Sequence, residues 1–210
     1  MSVKKRAKLV ADFNNPPEGI EPAFIFMLSS KAGGCGLNII GANRLIMFEP
    51  DWNPANDGQA MARVWRDGQK KTCFIYRFVN TGTIDEKIFQ RQAHKKALSS
   101  CVVDGQKDVD RHFSVSELRE LFRLNKKVVC ETHDKLKCKR CAKGEFPMQL
   151  EKPDEKASTL SDLKDWWHCS RAKSDRSNLP DRVLQMCWDR AKLTFCMHQQ
   201  SHKKVRGKGI

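Results

Sequence analysis

In the segment DWNPANDGQAMARVWRDGQKK, residues 51–71, Gln59, Arg63 and Arg66 are separated by four and three positions. At helical spacing this stacks all three side chains on one face. Two neighbouring guanidinium groups can hold a phosphate through paired N–H bonds and stabilise the charge that builds up when a phosphoryl group is transferred. The competing reading is a solvated face, because exposed charged pairs such as those near Asp67 commonly do nothing measurable. Pro54 suits a first helical turn, Asn53 or Asp51 can cap it, and Gly68 stops it. Trp65 falls off the arginine face, in a position to pack inward.

A second group is the turn SSKAGGCGLN, residues 29–38. Gly33, Gly34 and Gly36 let the backbone approach a ligand closely, and exposed amides at a helix start favour an anion. The Walker pattern is absent, and Ile39 stands where a dinucleotide fold needs its third glycine, which also disfavours a dinucleotide-dependent oxidoreductase. A plain tight turn is the alternative.

The third group is rich in cysteine and histidine. THDKLKCKRC supplies His133, Cys138 and Cys141, and WWHCS supplies His168 and Cys169 further along. Cys-x-x-Cys puts two thiolates on one turn, and ligands from a distant segment complete the tetrahedron that structural zinc prefers. The expected ligands are His133, Cys138, Cys141 and Cys169, with His168 as the alternative fourth. Free thiols or a redox dithiol are the competing readings. Cys35, Cys73 and Cys101 lie beside apolar runs and read as small buried hydrophobes; His94 reads as exposed or packed.

These groups need elements to hold them. FIFMLSS (24–30), RLIMFEP (44–50) and TCFIYRFVN (72–80) are short apolar runs that read as strands buried on both faces of a parallel sheet, with helix-compatible sequence between them. Both the glycine turn and the arginine segment then start at carboxyl ends of strands, the ligand-binding edge of a wound α/β sheet. Thr83 with Glu86 predicts a capping box opening a helix with Ile84, Ile88, Phe89, Ala93 and Ala97 along one stripe, and Ser114 with Glu117 predicts another. From about residue 125 charge and cysteine increase, and HKKVRGKGI reads as a disordered basic tail. The expected organisation is a lobe over 1–125, a zinc-stabilised region over 126–200 and a tail over 201–210.

The 210 residues carry a formal charge of +14, which favours a polyanionic partner, nucleic acid above all. Lys95, Lys96, Lys203, Lys204 and Arg206 suit phosphate contact, although such residues are more often solvated. No run approaches the roughly 20 apolar residues of a membrane span, and the first residues lack a signal-peptide core. An intracellular protein with no membrane partner is expected.

The glycine turn and the arginine segment, in order on consecutive strands, resemble motifs five and six of the Swi/Snf-related motor family of superfamily-two helicases, in its homologous-recombination branch. The resemblance runs from residue 1 to about 200 and is most specific between 28 and 96. It implies an incomplete RecA-like second lobe, with a parallel sheet and flanking helices, from an ATP-driven motor that tracks along double-stranded DNA, followed by a small zinc-containing region. By the family pattern, Arg63 and Arg66 would reach an ATP with its magnesium held on the other lobe, and Gln59 would position them. Ser29, Ser30, Lys31, Ala32, Gly33 and Gly34 would contact the DNA backbone, and Asp51 and Trp52 would couple the two sites. The resemblance also implies a nuclear location and a strand-exchange recombinase as partner. The Walker lysine and the Asp-Glu pair of the first lobe have no equivalents, so the chain is expected to be a fragment without ATPase activity of its own. A non-catalytic zinc-containing DNA-binding scaffold is the alternative.

Overall fold

The structure is a computed structural model that describes residues 2–30, 36–101, 114–142, 163–179 and 181–200, with the side chains of 95–101 and 142 excepted. The chain divides into two compact units, Met1–Val79 and Asn80–Ile210. Residue 125 falls inside the second.

The first unit opens with helix α1 (Val3–Asn14), capped by Ser2, whose hydroxyl accepts from the Lys5 amide. At its far end Asn14 works as a clamp: its carboxamide oxygen accepts from Gly41 N at 2.8 Å and its nitrogen donates to Asn38 O at 2.8 Å. The approach is so close that a Cβ on Gly41 would lie 2.9 Å from Asn14 Cα and from the Phe13 carbonyl, so only glycine fits. Strand β1 (Arg44–Met47) and strand β2 (Phe74–Arg77) pair in parallel, Arg44 opposite Phe74 through Met47 opposite Arg77. Helix α2 (Pro54–Met61) joins them, which is the expected parallel β-α-β arrangement. Val10, Ile39, Met47, Ala60, Val64 and Tyr76 are buried.

The expected first strand does not form. Residues 24–30 make no ladder, and Phe24 and Met27 are 95% and 91% exposed. A strand needs a hydrogen-bonded neighbour, and among the described residues of this unit the ladder pairs only β1 and β2. Phe26 packs its ring against Phe13, at 5.1 Å between centroids.

In the second unit helix α3 (Ile84–Cys101) packs with helix α4 (Val115–Phe122) and with the short helix α5 (Glu131–Leu136). α4 has the predicted capping box: Ser114 Oγ accepts from Glu117 N and Glu117 accepts from Ser114 N. At α3 the expected reciprocal box is replaced by something else. Thr83 Oγ1 accepts from Asp85 N, while the buried Glu86 accepts from Gly82 N at 2.6 Å and from the Thr132 amide and hydroxyl at 2.7 and 2.8 Å, tying the starts of α3 and α5 together. Lys87, buried on the same helix, donates to the carbonyls of Glu120 and Arg123 at the end of α4.

A four-residue helix α6 (Lys139–Ala142) follows, and strands β3 (Trp167–Ser170) and β4 (Phe195–His198) form an antiparallel pair with helix α7 (Arg182–Arg190) between them. Asp181 caps α7 by accepting from the amides of Val183 and Leu184. Cys169, Leu179 and Trp188 form the buried core beneath this strand pair, with Trp167, Leu184, Leu193 and Cys196 packed against it.

Candidate functional site

The arginine segment is shaped differently from a single helix face. α2 ends at Met61, with Asn53 as its cap and Pro54 in its first turn, as the sequence suggests. Beyond it the backbone tightens: Arg63 N and Val64 N bond to carbonyls three residues back, Ala60 O and Met61 O. The reason lies in captured carbonyls. Ile39 N donates to Arg63 O, and Gln69 Nε2 takes Val64 O together with Ile40 O and Ala42 O, so the acceptors needed to continue the helix are used by the neighbouring loop. Gln59 is therefore exposed on α2, Arg63 half-buried in the turn after it, and Arg66 exposed beyond that turn. The expectation of three co-facial side chains gives way to a helix followed by a pinned turn. Trp65, expected to pack inward, is 53% exposed.

Arg63 has a distinctive environment. Its Nε and Nη1 are buried and have no hydrogen-bond partner among the described residues. A buried guanidinium nitrogen left unpaired costs free energy, and an anion with two acceptor oxygens would satisfy both atoms at once. In the same unit Asp57, 1% exposed, pairs with Arg77 at 2.7 Å and accepts from Asp51 N at 3.1 Å. Burial pulls the Arg77 pKa down while the Asp57 charge pushes it back up. Sequence reading missed Asp57 and Gln69, for nothing in their spacing separates a buried anchor from a solvated polar residue.

Ser29 and Ser30 are exposed ahead of the glycine turn, and Lys31, Ala32, Gly33 and Gly34 lie outside the described residues, as does Cys35. Asp51 is half-buried, its carboxylate accepting from Asn53 N at 2.8 Å, and Trp52 is 48% exposed.

In the second unit, α5, α6 and β3 bring one donor atom each of His133, Cys138, Cys141 and His168 within 4.8 Å of one another. His168, not Cys169, is the fourth member. Adjacent residues of a strand face opposite ways: on β3 His168 turns to the cluster while Cys169, 0% exposed, turns into the core with Leu179 and Trp188. The orientation of His168 is fixed at its back. Its Nε2 lies 2.8 Å from Leu163 O, an obligate acceptor, so Nε2 carries the proton and Nδ1 presents its lone pair to Cys141 Sγ at 3.4 Å. Burial pushes the pKa of His168 and of His133 below the usual histidine range, and a charge on His133, whose ring lies 5.2 Å away, lowers His168 further. His133 Nε2 is buried with no hydrogen-bond partner among the described residues.

The two thiols divide their roles. Burial raises both, Cys141 up to about 11 with further upward push from Cys138; for Cys138 the hydrogen bonds from Cys141 and the Arg140 amide, with the Arg140 charge, outweigh burial and bring it down. Arg140 also staples the two halves of the site, donating to Lys164 O and to Trp166 O. Cys73 is half-buried, His94 is exposed, and the side chain of Cys101 is outside the described residues.

The helicase conserved C-terminal domain family matches residues 1–68. "DNA repair and recombination protein RAD54-like" from Gallus gallus is 62% identical over 207 residues, covering 99% of this chain and 27% of that protein. Its Homo sapiens counterpart is 60% identical over 209 residues, again 99% of this chain and 27% of that protein, and the Drosophila ananassae protein is 53% identical over 205 residues, 97% and 25%. Among solved structures, the C-terminal part of the Fun30 ATPase domain is 35% identical with a TM-score of 0.42, covering 57% of this chain and 36% of that one.

Residues 1–68 thus match the helicase conserved C-terminal domain, about a third of the chain. Over nearly its whole length the chain is similar to RAD54-like DNA repair and recombination proteins, of whose length it spans about a quarter.

Proposed function

We propose that the chain supplies the second motor lobe of an ATP-dependent double-stranded-DNA translocase acting in homologous-recombination repair. In this reading Arg63 and Arg66 reach the phosphates of an ATP, with its magnesium, held on a first lobe, and Gln59 positions them. Ser29 to Gly34 contact the DNA backbone, and Asp51 and Trp52 link DNA contact to nucleotide state. The observation that carries the reading is Arg63, whose buried Nε and Nη1 have no acceptor among the described residues. An arginine supplied across an interface to a transferring phosphoryl group is worth about 10³ to 10⁵ in rate. The same reading puts the protein in the nucleus, beside a strand-exchange recombinase.

The reading includes a structural zinc on His133, Cys138, Cys141 and His168. The donor set fits: two sulfurs and two imidazole nitrogens suit tetrahedral zinc, His133 Nε2 is an orphaned buried atom, and the Leu163 carbonyl behind His168 is the outer partner that zinc-binding histidines commonly have. A closed four-ligand site supplies folding energy to the region and takes no part in the reaction.

Joining the first lobe of a RAD54-like relative ahead of this chain tests the motor reading. DNA-stimulated ATP hydrolysis is expected, and it should fall with Arg63→Ala or Arg66→Ala. Hydrolysis untouched by either substitution would overturn the reading, and a joined protein that binds DNA without hydrolysis would favour a scaffold.

A further inference from the structure

The knuckle that carries Cys138 and Cys141 borders an open depression of about 610 Å³ in the second unit, and its rim is strongly basic. Lys135, Lys137, Lys139, Arg140 and Lys164 line it against one carboxylate, Asp165. Two of the cations have structural work: Lys135 pairs with Glu131 at 2.8 Å and donates to Gln90 at 2.7 Å, and Arg140 holds the Lys164 and Trp166 carbonyls. That staple places Lys164, from the far segment, beside the knuckle. Lys137 and Lys139 are exposed, and no carboxylate among the described residues forms an ion pair with either. Lys137 also holds a left-handed backbone, φ 48°, at the end of α5, a position where glycine or asparagine is the usual choice.

The geometry points to this basic depression as a contact for the phosphate backbone of duplex DNA, separate from the glycine turn of the first unit. The rim offers lysine ammonium groups, compact point charges that bind phosphate without demanding one orientation. Among the described residues the lining holds no aromatic ring on which an unpaired base could stack, so the chemistry it offers is backbone contact and not recognition of a single strand. A positive cluster gathered from two chain segments on a protein of net charge +14 adds affinity without sequence preference. The inference rests on the reading that the partner is DNA.

The test measures binding of the purified, zinc-supplemented 210-residue chain to a mixed-sequence duplex by fluorescence anisotropy across a salt series. Lys137→Glu with Lys139→Glu is expected to weaken binding at least about tenfold near 0.1 M salt and to reduce the salt slope by about two, one for each phosphate that is no longer neutralised. The charge-matched control, Arg119→Glu with Lys126→Glu, alters the same net charge at exposed positions away from the rim. Lys137→Arg with Lys139→Arg should bind like the parent chain. Equal weakening in rim and control variants, or an unchanged slope in the rim variant, overturns the inference while leaving DNA as partner. Absence of duplex binding by the parent chain removes the DNA reading itself. Zinc content measured on each variant distinguishes a folded protein with a weakened DNA surface from one that has failed to fold.

Discussion

Asp57 and Arg77 form a buried ion pair, Oδ2 to Nη2 2.7 Å apart, that joins α2 to β2 and, through the Asp51 amide, reaches the DWNP turn. Asp57 is 1% exposed, so its removal strands a largely buried guanidinium. Breaking such a pair from one side costs about 3–5 kcal/mol. Asp57→Ala should therefore lower amide-exchange protection across residues 54–64 and 74–77, with Asp57→Asn milder because it keeps one acceptor. Unchanged protection in both variants would falsify the anchoring role.

The metal prediction separates neighbouring residues. The chain should hold one zinc; Cys138→Ser or His168→Ala should release it, and Cys169→Ser should keep it, because that thiol faces the core beneath the β3–β4 pair. Elemental analysis of the purified variants reads this directly, and metal retained by His168→Ala but absent from Cys169→Ser would reverse the assignment. Chelation should melt the second unit at lower temperature, since the metal's binding energy is folding energy.

His198 gives a pH prediction away from the cluster. Burial pushes its pKa below the usual histidine range, partly offset by the Asp181 charge, and its Nδ1 is buried without a hydrogen-bond partner among the described residues. The unfolded chain then takes up a proton before the folded one does. The contribution of His198 to stability is full above about pH 6.5 and declines as pH falls from there toward the lower folded value, where the decline levels off. An NMR titration should place the His198 midpoint below 6.5, and His198→Gln should flatten the decline; a midpoint at or above 6.5 contradicts the prediction.

Catalysis is expected only in company. The purified chain should show no DNA-stimulated ATP hydrolysis, because the phosphate-gripping pattern Gly-x-x-x-x-Gly-Lys-Ser/Thr does not occur in its sequence. Joined to a first lobe, Arg66→Ala should depress turnover by about 10³ or more while leaving duplex affinity within a few-fold. Steady-state kinetics with and without DNA checks both halves, and turnover by the chain alone that Arg66→Ala abolishes would sink this prediction.

Local signals in the sequence led to local structure. Asn53 and Pro54 opening α2, Ser114 and Glu117 opening α4, and the parallel pairing of the runs at 44–50 and 72–80 all depend on neighbours within a few residues or on simple apolar patterning. Three members of the cluster were legible from the Cys-x-x-Cys spacing and a nearby histidine. The fourth was not, because WWHCS reads equally well with either residue inward until the phase of β3 against its core is known. The end of α2 depended on partners far along the chain: Ile39 and Gln69 take the carbonyls on which a longer helix would rely. Glu86 shows the same competition, since a carboxylate placed for a capping box is drawn to Gly82 and Thr132 instead. The run 24–30 is apolar enough for a buried strand, but hydrophobicity alone does not supply the ladder partner a strand requires.

Arg140 and Cys141 on one side, and Lys164, Trp166 and His168 on the other, clasp the chain where it leaves Ala142 and returns at Leu163. One guanidinium thereby fixes the phase in which the chain enters β3, and with it which face of the strand His168 takes.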